Sequence, residues 1–231
     1  MKTLPNTLAI CLLVSSQMTL ALEAGDFLVR SRIINVNPDD SSSIVTVDHA
    51  DALKSSKVSV DDSYTLDIDF TYMVQDHIGF ELLLDLSSKH DVSGTGLLGT
   101  AAPGTILESR VLPPSLFAQY HFMPQAKIRP YIGLGLNYTL FFNEKSNNSL
   151  DSALVSLGLG TTTDVHLKSS WGLGGQIGMD IDITDNLFVN FDIKYIDIDT
   201  EARISTASGA VVRTNVSIDP LIIGVGLGMS F

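Results

Sequence analysis

Residues Tyr64 to Val74 read YTLDIDFTYMV. Tyr64, Leu66, Ile68, Phe70, Tyr72 and Val74 alternate with Thr65, Asp67, Asp69, Thr71 and Met73. A period of two puts the two sets on opposite faces of an extended strand. One face is apolar throughout and the other carries two carboxylates. A half-buried sheet in a soluble protein has such strands. So does a wall with lipid on one side and a lumen on the other.

The same alternation recurs down the chain. It appears near Asp26–Val36, from Ile78 to Leu86, from Ser115 to Phe122, in IRPYIGLGLNYTLFF, in WGLGGQIGMDIDIT, from Leu187 to Tyr195, and from Leu221 to Phe231. Eight strands result, an even number. Their connections alternate in length. Gln75-Asp76, Met123 to Lys127 and Thr184 to Asn186 are short, whereas Asn37 to Ser63, Ser88 to Arg110, Asn143 to Lys168 and Asp199 to Val216 are long. An eight-stranded antiparallel up-and-down transmembrane β-barrel has this rhythm, with short periplasmic turns, long extracellular loops and both termini inside.

A soluble secreted barrel would turn its apolar face inward. Eight strands leave an interior just wide enough for packed side chains, too little for this many large residues. The small residues fit there instead. Gly133, Gly135, Gly172, Gly174, Gly178, Gly224, Gly226 and Gly228 all share the face opposite the large apolar residues. The apolar face therefore meets lipid, and the Asp face meets the lumen.

Bulk properties agree. The 231 residues are 45% hydrophobic and 17% charged, with mean hydropathy +0.25. Beyond the N-terminus no apolar run reaches the roughly 18 residues that a membrane helix needs. The net charge of −12 argues against nucleic acid as a partner. Residues 1–21 have Lys2, an apolar run from Leu8 to Val14 and a small-residue end at Thr19-Leu20-Ala21, the layout of a secretory signal. Residues 22–231 form the expected barrel domain. Cleavage removes Lys2 and no acid, taking −12 to −13. It also removes Cys11, the only cysteine, so disulfides cannot brace the mature chain.

Several segments, in order, resemble the OmpW family of Gram-negative outer-membrane proteins. They are EAGDFLVR, LPPSLFAQYHF, RPYIGLGLNYTLFF, SSWGLGGQIGMDIDIT, YIDIDTEA and IDPLIIGVGLGMSF. The likeness runs from about Glu23 to Phe231 and misses most of 37–63, 88–110 and 143–168. It implies a narrow, largely apolar channel that passes small hydrophobic molecules passively, with sideways release into the membrane. It implies no enzyme.

The lumen-facing candidates are Arg30, Arg32, Asp67, Asp69, Glu81, Leu83, Phe117, His121, Arg129, Tyr131, Phe141, Asp180, Asp192 and Lys194. Mixed charges in a narrow bore either pair into a plug or line an aqueous path, and buried charges need partners. Leu83, Phe117, Tyr131 and Phe141 would form an apolar constriction. Pro113 and Pro114 cannot donate to a ladder, which marks either an opening in the wall or simply a strand start. Tyr72, Tyr138, Trp171 and Tyr195 read as interface anchors, and Phe231 as the C-terminal signal for the barrel-assembly machinery.

No catalytic, cofactor-binding or metal-ligating residue is expected. His49, His90 and His166 fall singly in long loops and read as solvated. GLGGQIG misses the dinucleotide spacing because Ile177 replaces the last glycine. The expected surroundings are outer-membrane lipid, lipopolysaccharide and small hydrophobic solutes. The competing expectation is a sealed structural or adhesion barrel that works through its loops.

Overall fold

The computed structural model describes residues 22–48, 56–85 and 88–231. The expected signal segment, 1–21, and His49 lie outside the described residues. Along the chain come β1 (Phe27–Asn37), β2 (Ser41–Ser42), β3 (Thr46–Val47), β4 (Lys57–Val60), β5 (Ser63–Gln75), β6 (Ile78–Asp85), β7 (Ser88–Thr95) and α1 (Gly96–Ala101). There follow β8 (Thr105–Leu112), β9 (Ser115–His121), β10 (Ile128–Ser146), α2 (Asn148–Ser156) and β11 (Thr162–Leu167). The last elements are β12 (Ser170–Asp182), β13 (Leu187–Ile196), β14 (Asp199–Thr206), β15 (Val211–Ser217) and β16 (Leu221–Ser230).

Eight strands close into an antiparallel barrel in the order β1, β5, β6, β9, β10, β12, β13, β16, and β16 returns to β1. The closing seam runs from Leu28↔Ser230 to Asn37↔Leu221. It ends in a reciprocal pair of backbone hydrogen bonds between Phe27 and Phe231, at 3.1 and 2.9 Å. Closure gives each of these strands two neighbours, so the described wall presents no free edge to lipid.

The alternation in the sequence becomes inside and outside. Leu66, Phe80, Leu134, Ile177 and Val225 are exposed on the wall, while their neighbours Asp67, Glu81 and Gln176 are buried. Tyr64, Trp171 and Tyr195 ring the extracellular end, with Tyr138 against Trp171 at 4.6 Å. Phe27, Tyr72, Tyr120, Phe122 and Phe231 ring the other end. From Tyr64 to Tyr72 the strand advances about 27 Å, or about 20 Å along the axis of a tilted barrel, close to the apolar band such barrels present.

Inside, rings sit over glycines. Phe117 occupies the space that a Cβ at Gly135 or Gly174 would enter, Tyr131 covers Gly178 and Phe188 covers Gly228. Any side chain at those glycines would collide with an aromatic ring, so each ring's size fixes its partner's smallness.

The long connections are not loops in the sense the sequence suggested. β4, β7, β8 and the upper end of β10 form one sheet above the membrane, and β11, β14, β15 and β2 form another, with β3 against β15. The sheets and both helices share an apolar core that includes Val58, Leu98, Leu107, Leu154, Leu167 and Val216. Helix α2 starts at the Asn147 cap, whose side chain accepts from Ser149 N–H at 3.3 Å, and turns Leu150, Ala153 and Leu154 inward. The periodicity of these elements is short and broken by turns, which is why alternation alone does not reveal them.

Candidate functional site

Three layers fill the molecule from the periplasmic end upward. Leu22, Leu28, Met73 and Phe188 pack together at the bottom, where Leu22 N–H donates to the Pro124 carbonyl at 2.9 Å.

Above them lies a dense polar network. Arg30 clamps Asp180 with two bonds, at 2.8 and 3.2 Å, and reaches Thr71 at 2.6 Å and Glu81 at 3.3 Å. Arg32 clamps Asp67 at 2.7 and 3.1 Å, donates to Asn190 at 3.2 Å and also contacts Asp69. Lys194 bonds Asp192 and lies 3.6 Å from Glu81. The Tyr131 hydroxyl donates to Asp192 at 2.8 Å, and Gln119 donates to Glu81 at 2.7 Å. Arg129 pairs with Asp182. His121 sits 3.2 Å from Gln119 with its ring 5.2 Å from Tyr131. The guanidinium of Arg30 also lies over the Tyr131 ring, 5.2 Å from its centre. Partners reach across the whole bore: Arg30 and Asp180 are 150 residues apart. With planar forks locked on carboxylates, the arrangement acts as a plug.

All the lumen candidates except Phe141 are buried in this bore, the charged ones in the network and Leu83 and Phe117 beside it, opposite Asp69 and Glu81 in the ladders. Phe141 is half-buried and stands higher, among Ile34, Val36, Ile196 and Ile222. It therefore does not join Phe117 and Tyr131 in one constriction. Phe141 belongs to the wall of a cavity of about 470 Å³ enclosed by the extracellular sheets and the barrel rim. Val36, Val58, Leu107, Leu154, Ile196 and Pro113 are among its lining. This chamber is overwhelmingly apolar. Ile196 and Ile222 line its lower end, and the charged plug lies beneath that isoleucine layer, beginning at Lys194, two residues down β13 from Ile196.

Pro113 and Pro114 lie where β8 gives way to β9. On one side the wall is continuous: Leu112 pairs with Leu140, Tyr138 N–H donates to the Pro114 carbonyl at 3.0 Å, and Ser115 pairs with Asn137. On the other side, among the described residues, β6 pairs with β9 up to Leu83↔Ser115 and β7 pairs with β8 from Ser88↔Val111, residues 86 and 87 lying outside the described residues. The two prolines fall in that interval, and neither has an N–H to give. Pro113 also lines the chamber directly.

His90 corrects one expectation. It is not a solvated loop residue but is buried on the inner face of β7. Its Nδ1 lies 3.2 Å from the Asp61 carbonyl and its Nε2 lies 3.2 Å from Ser88 Oγ. Burial lowers its affinity for a proton below the usual imidazole value. His166 is exposed, as expected. Sequence reasoning missed the chamber residues Ser88, His90 and Ser109. Their signal, alternate residues on one face of a strand, is present, but it sits in a connection whose length and polarity read as a loop.

A closed eight-stranded barrel with an aromatic ring at each end, a charged core and an apolar outer wall is a bacterial outer-membrane protein. The OmpW family model matches residues 23–231. The chain is 34% identical over 226 residues to outer membrane protein W of Vibrio cholerae, covering 97% of each chain. Its fold overlays the crystal structure of the outer membrane protein OprG from Pseudomonas aeruginosa with a TM-score of 0.83, at 33% identity, covering 92% of this chain and 99% of the other. A more distant relative, the dibenzothiophene metabolism operon protein PahQ of Pseudomonas aeruginosa, is 24% identical over 214 residues and 90% of each chain. The protein belongs to the OmpW family. It is a barrel of the bacterial outer membrane, in a family of non-enzymatic barrels.

Proposed function

We propose that the protein carries small, mainly hydrophobic molecules passively across the outer membrane, receiving them in the extracellular chamber and releasing them sideways beside Pro113 and Pro114. The observation that carries this reading is an apolar chamber standing above a charged plug. A hydrophobic molecule leaving the chamber downward meets ion pairs, whereas outward it meets lipid past Pro113 and Pro114, which give the ladder no N–H. Moving it downward would strand it among desolvated charges, whereas moving it outward exchanges one apolar surrounding for another. The name of the PahQ relative, which ties it to the metabolism of an apolar aromatic compound, is in keeping with such cargo.

Filling the chamber is the direct test. Leu154→Trp adds a large ring to a buried lining position and should reduce uptake of a hydrophobic tracer by whole cells to the level of cells without the protein. Unchanged uptake by a correctly assembled variant would remove the chamber from the pathway. A vertical route makes a different forecast: Phe117→Ala, opposite Glu81 of the plug, would raise flux. The lateral route expects no rise.

The plug also makes the refolded barrel electrically quiet in a planar bilayer. Steady ion currents would mean that the pairs around Arg30 and Arg32 open. Silence combined with absent uptake would favour a sealed anchor that works through its extracellular sheets. We further infer that residues 1–21 are a cleaved export signal, that Phe231 is read during barrel assembly, and that lipopolysaccharide surrounds the extracellular ring. Tyr64, Tyr138, Trp171 and Tyr195 lie at that level.

A further inference from the structure

The chamber is not uniformly apolar. The β7–β8 hairpin turns Ser88, His90 and Ser109 into it, and Asp85 ends β6 just below. All four side chains are buried. His90 faces Ser109 across the ladder, and Ser88 faces Val111, two residues from Pro113. A polar stripe therefore runs up the chamber wall from the level of Pro113.

The stripe's hydrogen bonds have a direction. The Asp61 carbonyl can only accept, so His90 Nδ1 carries the proton and donates to it at 3.2 Å. A neutral ring then leaves Nε2 as an acceptor, and the Ser88 hydroxyl donates to it at 3.2 Å. The Ser88 proton is spent, but its oxygen still has acceptor capacity facing the chamber. Ser109 directs its hydroxyl to the Arg110 carbonyl at 3.4 Å, which leaves its oxygen in the same condition. Burying hydroxyls in an apolar wall costs free energy that these partial pairings offset only in part.

Among the described residues, the stripe consists of acceptors and a carboxylate and contains no cation. Asp85 accepts from Thr65 at 3.4 Å. Arg213, elsewhere in the lining, faces Glu201 at 3.6 Å. An anionic ligand end would gain nothing here, and an uncharged donor would gain a bond.

We propose that the chamber selects uncharged amphiphiles with a hydroxyl at one end, such as aliphatic alcohols, over plain hydrocarbons and over carboxylates of the same length, through acceptors at Ser88 and Ser109 that His90 and Arg110 orient. This rests on the chamber being the site of passage. It adds polarity matching at the exit. Pro114 is held at the level of Tyr138, in the aromatic ring, so a ligand whose hydroxyl lies on the stripe has its polar end near the interface, where an amphiphile's head comes to rest in the membrane.

The test titrates the refolded full barrel in lipid nanodiscs with 1-decanol, decane and sodium decanoate, at matched mole fraction in lipid. Methyl signals of Ala153 and Ala202, both in the chamber lining, report occupancy, and the His90 ring nitrogens report contact with the stripe. Decanol should saturate the alanine shifts at about fivefold lower concentration than decane or decanoate, the ratio one net hydrogen bond supplies. It alone should move the His90 signal. Ser88→Ala combined with His90→Phe and Ser109→Ala, which removes the stripe's three acceptors, should bring decanol to the level of decane. Equal saturation by all three, with His90 unmoved, overturns the polar selection and leaves the chamber as a ligand site. No alanine shift with any of them overturns both readings.

Discussion

Arg32→Met should destabilise the barrel by about 3–5 kcal/mol, the range for removing one partner of a buried ion pair. Arg32 is 1% exposed and clamps Asp67 while contacting Asp69 and Asp192. Methionine keeps much of the volume and removes the charge, so the loss comes from carboxylates left without compensation in a dry interior. Around it the barrel holds Arg30, Arg32 and Lys194 against Asp67, Asp69, Glu81, Asp180 and Asp192, so the network already has more acid than base. Urea unfolding of the refolded protein in lipid, followed by the mobility difference between folded and unfolded forms, measures the change. Adding Asp67→Asn to Arg32→Met should recover part of it, because the pair's energies are coupled. A loss below about 1 kcal/mol would mean that water reaches these groups and that no plug exists.

Pinning the wall beside Pro113 and Pro114 is the second large effect. Leu83 and Ser115 are opposite one another in the ladder and both point inward, a separation that an antiparallel pair offers to a disulfide. The only natural cysteine is Cys11, in the expected export signal, so Leu83→Cys with Ser115→Cys forms a bridge without competitors. Its position just below Pro113 and Pro114 stops the two edges from parting. Oxidation should lower uptake of a hydrophobic tracer at least about tenfold, equivalent to about 1.4 kcal/mol on the passage barrier, and reduction should restore it. Full uptake by the oxidised form would eliminate release at this place. The chamber would then need another exit.

Both effects concern residues whose directions are legible in the sequence. Arg32, Asp67 and Asp69 alternate with Ile33, Ile68 and Phe70, and strand geometry allows only one assignment of faces once lipid is known to lie outside. The inward glycines are legible for the same reason. Which charge meets which is not. Arg30 finds Asp180 from 150 positions away, and Phe117 lies over Gly135 and Gly174, because barrel registers bring distant strands to one height. Phe141 has the expected face but not the expected height, since β10 runs to Ser146, well past the membrane.

By itself, then, the sequence determined a membrane barrel: a two-residue period repeated eight times, separated by short and long connections in turn, admits one wall with lipid outside and small or charged residues inside. Only the tertiary structure decided that the long connections are folded. β7 and β8 are as long as β6, but their polar residues and the turns around them read as a loop, and the apolar residues of β7, β8, α2 and β11 acquire a common core only when four separate connections meet above the rim. The chamber and the polar stripe of Ser88, His90 and Ser109 are products of that meeting, and no local stretch of chain contains them.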